Sequence, residues 1–115
     1  MIESDYQRAL LARVSVEFRD HRFFRRNTGS IRIEDRFFRA GIKGQCDIEV
    51  IGRGGWHGEL ELKRFTRLSD SQEAWRNWCI SWEIPWLCLS VEREESPPIT
   101  MARWVGELKA WAKVK

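Results

Sequence analysis

Two stretches of alternating polar and apolar residues, joined by a glycine-rich segment, constrain the fold of this chain more than any other feature. They cover residues 45–50 and 59–63, and Gly52, Gly54 and Gly55 lie between them. A period of two is typical of a β-strand with one buried face, and a short glycine segment between two such strands favours a hairpin. The sequence therefore predicts two paired strands with one polar face.

The polar face of this hairpin carries two acids and a lysine. Glu61 and Lys63 point the same way while Leu62 points into the core, and Asp47 joins them if the two strands pair in the matching register. Adjacent carboxylates are unfavourable unless a cation neutralises them, and oxygen ligands select a hard metal such as magnesium or manganese. The backbone carbonyl of Leu62 is a further oxygen ligand. The pattern predicts metal-assisted phosphodiester hydrolysis, with Lys63 holding or activating the attacking water.

The same residues also suit a simpler interpretation. An exposed hairpin face rich in Glu and Lys arises often by chance, so the spacing of Asp47 and Glu61 is weak by itself. Glu49 and Glu59 share the alternation, and as surface charges or auxiliary ligands they fit either interpretation, with surface charge favoured.

Other periodic patterns place helices and strands around the hairpin. Apolar residues at every fourth position predict a first helix over residues 2–18, and Ser69 with Gln72 forms a capping-box pattern that starts a second helix. The remaining predictions are a loop over residues 21–30, a short strand over 36–40, a buried strand over 86–91 and a last helix over 97–113.

Composition predicts one soluble, folded unit. The 115 residues suffice for a single domain, residues 1–115, and 43% are hydrophobic while 32% are charged. No apolar run is long enough to span a membrane, and the three cysteines read as buried thiols, so we expect a cytoplasmic protein without a small-molecule cofactor. Residues 19–43 carry eight cations and three acids. That segment suits either a nucleic acid partner or a solvated arginine-rich surface.

Motifs on both sides of the hairpin acids carry a family resemblance. The motifs are G-x-x-G-x-x-D from Gly41 to Asp47, E-x-K at Glu61-Leu62-Lys63, L-S-x-x-Q at Leu68-Ser69-Asp70-Ser71-Gln72 followed by Trp75, Arg26-Asn27-Thr28-Gly29, and Glu3 with Gln7. Together they resemble the VRR-NUC (virus-type replication-repair nuclease) family, a branch of the PD-(D/E)XK nucleases. The resemblance spans about residues 3–91.

The resemblance implies an α/β (α+β) fold of the restriction-endonuclease-like PD-(D/E)XK type, with a mixed central sheet flanked by helices in the order αβββαβ, here followed by a C-terminal helix. It implies Mg²⁺, with Mn²⁺ as a substitute, held by Asp47, Glu61, the Leu62 carbonyl and Glu3, although Glu17 is another acid on the first helix. Lys63 would be the catalytic lysine. Gln72 has two compatible interpretations, an active-site residue and the cap of Ser69.

Phosphate contacts are expected beside the metal strand. The residues concerned are Arg25, Arg26, Asn27, Arg39 and Lys43. The implied activity is a magnesium-dependent endodeoxyribonuclease on structured or branched DNA, most plausibly a dimer that resolves Holliday junctions in DNA repair, in a bacterial or phage-infected cell. A monomeric nickase or flap nuclease and an inactive nucleic-acid-binding module of the same fold are alternatives.

The chain contains seven tryptophans, an unusually large number for 115 residues. Trp75, Trp78 and Trp82 could stack on bases, but their helical spacing favours packing in the core. Trp104 and Trp111 on the last helix add large apolar area, which motivates the dimer hypothesis.

Overall fold

A four-stranded mixed sheet organises the chain. The computed structural model describes residues 2–26, 30–33, 36–39 and 42–114, with side chains for 2–26 and 42–114. Within these ranges the elements are α1 (Glu3–Glu17), β1 (His21–Arg25), β2 (Ser30–Ile33), β3 (Arg36–Arg39), β4 (Ile48–Gly52), β5 (His57–Arg64), α2 (Asp70–Ser81), β6 (Trp86–Val91) and α3 (Pro97–Trp111). Three helices and a mixed sheet make this part of the chain an α+β fold.

The main sheet has the strand order β1-β4-β5-β6. Strand β4 pairs antiparallel with β1 and with β5, whereas β6 runs parallel to β5 because α2 connects the two. Strands β2 and β3 form a separate two-stranded sheet. Counting only the main sheet, the described elements run in the order αβββαβ, with α3 after it, but the first strand is His21–Arg25 and not the predicted strand over 36–40.

One face of the sheet carries the hydrophobic core. The apolar residues predicted at every fourth position are all buried and meet β4, β5, β6 and α3; they are Tyr6, Leu10 and Val14 of α1, and Phe18 directly after it. Leu60 and Leu62 point into this core, so Glu59, Glu61 and Lys63 must point to the opposite face, where α2 lies. The alternation in β5 thus separates an apolar layer from a polar one.

The segment predicted as a loop over residues 21–30 begins with a strand instead, so that prediction was wrong for His21–Arg25. Phe23 faces the core and its ring lies 5.3 Å from that of Phe18, while Phe24 is 50% exposed. Its arginines kept β1 from being recognised as a strand, yet charged side chains are common on an edge strand, where they oppose aggregation.

The other predicted elements are present with shifted ends. The strand predicted from residue 45 begins at Ile48, and the short strand over 36–40 is β3, which pairs with β2 rather than with the hairpin. The strand over 86–91 is β6, although its first three residues are only half-buried. In the described residues, none of the helices is long and apolar enough to cross a membrane.

Candidate active site

Asp47 lies directly before β4, and Glu61 lies in the neighbouring strand β5. Ile48 pairs with Leu60, so the residue before Ile48 and the residue after Leu60 continue the same ladder. Asp47 itself lies in a bend directly before β4, and its side chain is half-buried. The register that the sequence required for Asp47 and Glu61 to meet is therefore the observed one.

Glu61 is a buried carboxylate, only 2% exposed. Burial, with the negative charges of Asp47 and Glu3, raises its pKa to about 8, although Lys63 and the Cys46 thiol act in the opposite direction. Among the described residues no salt bridge reaches Glu61; the amide of Gln72 donates to its Oε1 at 3.3 Å. Near neutral pH this buried carboxyl is therefore mainly protonated unless a cation lies beside it.

Gln72 caps α2 through Ser69 and also contacts Glu61. Its Oε1 accepts from the backbone N–H of Ser69 at 2.9 Å, and its own N–H donates to the Ser69 hydroxyl at 3.2 Å, which completes the capping box. Its Nε2 donates to Glu61. The start of α2 is therefore tied to the buried acid by the residue that caps the helix.

Glu3 and Leu62 meet Asp47 in one open cleft of about 380 Å³, together with Ser4, Gln7, Arg25 and Arg26. The first turn of α1 supplies Glu3 and is held by Asp5, which accepts from the Ile2 N–H at 3.1 Å. The alternative acid on this helix, Glu17, lies about four turns away and accepts from Arg13 and Lys109. Of the two glutamates on α1, Glu3 is the one near the site.

The oxygen donors of this cleft fit a divalent cation of the magnesium type. Over residues 2–26 and 42–114, no group of three or more His, Cys, Asp or Glu side chains is close enough to hold a metal ion. Mg²⁺ commonly takes only one or two protein carboxylates and fills its remaining positions with water and substrate phosphate. Asp47 and Leu62 line the cleft, and Glu61 is close enough to Asp47 for the two charges to interact, so Asp47, Glu61 and the Leu62 carbonyl match that requirement. A bound cation would favour the charged form of Glu61.

A second buried acid, Glu59, was expected as a surface charge, and that expectation was wrong. Its side chain is 1% exposed and forms a two-pronged ion pair with Arg26, Nη1 to Oε1 at 2.7 Å and Nη2 to Oε2 at 3.0 Å. Trp75 Nε1 also donates to Glu59 at 3.1 Å, and His57 Nε2 lies 3.1 Å from it. The carboxylate is neutralised by protein groups, unlike that of Glu61.

Arg26 links this ion pair to the candidate site. Its guanidinium donates to the carbonyl of Cys46 at 3.0 Å, and its backbone N–H donates to the carbonyl of Asp47 at 2.6 Å. Glu49 is a further partner at 3.1 Å. Arg26 therefore holds the backbone at Asp47, and its charge is engaged by acids instead of being open to a phosphate.

The other expected phosphate contacts are placed differently. Arg25 and Lys43 are exposed, and Arg25 lines the cleft with Asp47. Asn27 lies outside the described residues, and for Arg39 the backbone alone is described, in β3. Arg25 and Lys43 are thus the cations that remain for a phosphate contact in the described side chains.

Gly44 fixes the distance between the segment before Asp47 and the start of α2. It has φ +87°, and a Cβ built on it would lie 2.0 Å from the Ser71 carbonyl oxygen and 2.8 Å from the Gln72 nitrogen. Only glycine permits both the conformation and the approach. This contact supplies a physical reason for the second glycine of the G-x-x-G-x-x-D motif.

Gly44→Ala is expected to destabilise the protein by more than about 3 kcal/mol, because the clash with Ser71 adds to the roughly 1–3 kcal/mol of the positive φ. Gly54→Ala is the matched control, since Gly54 has φ +83° but nothing lies within 4 Å of its Cβ position. Urea unfolding of both variants separates the two contributions. Equal losses of stability would show that the approach to Ser71 is unimportant.

Comparison of the chain with protein-family models, with curated proteins and with solved structures finds no match. The function of the chain is therefore inferred from the geometry and chemistry of the site.

Proposed function

We propose that this protein is a magnesium-dependent DNA endonuclease with a PD-(D/E)XK-type active site formed by Asp47, Glu61 and Lys63. The observation that carries the proposal is the buried Glu61 carboxyl beside Asp47, which forms no salt bridge with the described residues, with Lys63 two residues farther along the same strand face. An ordinary charged hairpin face would leave these side chains in water. Burying an acid beside two others costs stability, and a cation site explains why such an arrangement would be kept.

Different residues of the chain bind the metal, orient the attacking water and contact the DNA backbone in the proposed hydrolysis. Asp47, Glu61 and the Leu62 carbonyl would hold Mg²⁺, which when bound supplies Lewis-acid polarisation of the scissile phosphate and charge stabilisation. Lys63 orients the attacking water and stabilises negative charge on the phosphate oxygens. Gln72 fixes the position of Glu61, and Arg25 and Lys43 supply positive charge for the DNA backbone.

Branched DNA is the proposed substrate class, and a homodimer is the proposed form. Symmetric cutting of two strands at a four-way junction requires two active sites, which a two-fold dimer provides. The αβββαβ order with a parallel β5–β6 pair agrees with the restriction-endonuclease-like core that the motifs imply. A strictly monomeric mass by light scattering at assay concentration would remove the dimer from this proposal and favour a nickase or flap nuclease.

Incubation of the purified protein with labelled duplex, flap and four-way-junction DNA tests the activity directly. Cleavage is expected with Mg²⁺ or Mn²⁺ and should disappear in EDTA and in Asp47→Ala. Cleavage that persists in EDTA would overturn the metal-dependent mechanism. Binding of DNA without cleavage in either metal would identify the chain as a binding module of this fold.

A further inference from the structure

Trp75, Trp78 and Trp82 form a row of indoles along α2, which we term the tryptophan ladder. The ring centroids of Trp75 and Trp78 are 4.8 Å apart with an interplanar angle of 27°, and those of Trp78 and Trp82 are 4.9 Å apart with an angle of 33°. Trp78 is 38% exposed and Trp82 is 67% exposed. The prediction that these side chains pack in the core was therefore wrong.

The ladder lies at the edge of the side through which α2 meets the sheet, so Trp75 is half-buried while Trp78 and Trp82 are exposed. Cys79 is the buried residue of the helix, and at 100° per residue the ladder lies some 40–100° away from it. Two neighbouring exposed indoles are unfavourable in water and are typical of a binding surface. We therefore expect a ligand or partner to bind at the tryptophan ladder.

Charge around the ladder favours an anionic occupant with flat apolar groups. A groove at its N-terminal end is lined by Ile42, Lys43, Ser71 and Ala74 with Trp75 and Trp78, and none of these described lining residues is acidic. The acid Glu73 projects from the other side of the helix, whereas Asp70 lies about 80° from Trp78, again by the 100° rotation per residue. Lys43 thus provides a positive edge to an aromatic surface.

The ladder begins at the candidate active site. Trp75 Nε1 donates to Glu59, and Gln72, one turn earlier, donates to Glu61. Trp75 is thereby held in place, and the row leads away from the site for about 15 Å from residue 72 to residue 82 at 1.5 Å per residue. A strand leaving the site along α2 would pass over the exposed rings.

We infer that the tryptophan ladder is a stacking platform for unpaired bases of a nucleic-acid single strand, an inference that rests on the proposed function of the neighbouring site. The indoles lie against one another, so a base would stack on Trp82, the most exposed of the three, and the strand would pack against the exposed edge of Trp78. Such contacts carry little sequence preference, while the basic edge contacts the backbone. In a duplex the bases are already stacked on each other. A second copy of the chain fits less well, because three partly exposed indoles and Ile42 offer much less than the roughly 800 Å² per partner of a stable interface.

Fluorescence anisotropy in EDTA, with labelled oligothymidylate of about 16 nucleotides and a duplex of equal length, tests the inference without cleavage. Trp78→Ala and Trp82→Ala should each weaken single-strand binding at least roughly fivefold, and duplex binding less than about twofold. Trp82→Phe, which keeps an aromatic face, should retain most of the affinity. Ile80→Ala is the matched control, because Ile80 is 61% exposed on the same helix away from the ladder.

Unchanged single-strand binding in both alanine variants, or an equal loss on duplex, would overturn the inference. So would a wild-type dimer that either alanine variant converts to a monomer in light scattering, because the ladder would then be covered by a second copy. Thermal unfolding of each variant verifies that it folds. Ladder-dependent binding without cleavage of any DNA would remove the nuclease proposal alone, and cleavage without a ladder effect would remove this inference alone.

Discussion

Arg26→Ala is expected to lower the free energy of unfolding by roughly 3–5 kcal/mol, a large fraction of the stability of a domain of this size. The reason is that the substitution removes the ion-pair partner of Glu59. Glu59 is 1% exposed, and without the guanidinium its buried carboxylate would keep Trp75 and His57 as its partners among the described residues. The carbonyl of Cys46 would also lose its donor, so the backbone at Asp47 would be less well held.

Urea unfolding at neutral pH measures this effect, with Arg13→Ala as the matched control. The Arg13–Glu17 pair is a one-turn helix pair with side chains 45% and 30% exposed, and its loss should cost no more than about 0.5 kcal/mol. Replacing both partners, as in Arg26→Met with Glu59→Leu, should recover much of the lost stability because no charge stays buried. If Arg26→Ala costs no more than Arg13→Ala, the Glu59 carboxylate is compensated in another way.

Local patterns predicted the elements on which Glu61 and Gln72 lie. The alternation around Asp47 and Glu61 depends on the strand period, and the Ser69 cap depends on residues three apart, so both could be read from the chain. The glycines between the two strands predicted the hairpin turn, because a turn also depends on residues close together in the chain.

Long-range pairing was not accessible from the pattern. The burial of Glu59 depends on Arg26, 33 residues away, and nothing in the spacing of β5 distinguishes it from the surface charge it was taken to be. Strand β1 is defined by its partner β4, so its arginines resembled a loop. The ladder of Trp75 and its neighbours has the period of a core helix, but which side of α2 meets the sheet is decided by tertiary packing.

Glu61→Gln is expected to abolish cleavage and, in the absence of metal, to stabilise the protein at alkaline pH. The loss of activity should be on the order of a thousandfold or more, since a metal contributes several kcal/mol to the transition state and each 1.4 kcal/mol is tenfold. The gain in stability follows from the raised pKa of Glu61. The same substitution should therefore lower activity and raise the free energy of unfolding.

The sign of the pH dependence follows from the two pKa values of the Glu61 carboxyl. Its ordinary value of 4.5 applies to the unfolded chain, and burial together with the neighbouring acids raises its pKa to about 8 in the fold. Below pH 4.5 the carboxyl is protonated in both states and contributes nothing. Between the two values the unfolded chain releases the proton first, so the free energy of unfolding falls with rising pH by up to roughly 1.4 kcal/mol per unit. Above about pH 8 this group contributes no further change.

Glutamine cannot ionise, so the variant should lack this decline. Unfolding curves in EDTA should coincide for wild type and Glu61→Gln near pH 4.5, and the variant should be the more stable protein at pH 8. Millimolar Mg²⁺ should stabilise the wild type at pH 8 by mass action and have little effect on the variant. Glu73→Gln, on the exposed side of α2, should behave as wild type in every condition. A variant less stable than wild type at pH 8 in EDTA would mean that the Glu61 carboxylate is already compensated within the fold, and the main argument for a cation beside it would fail.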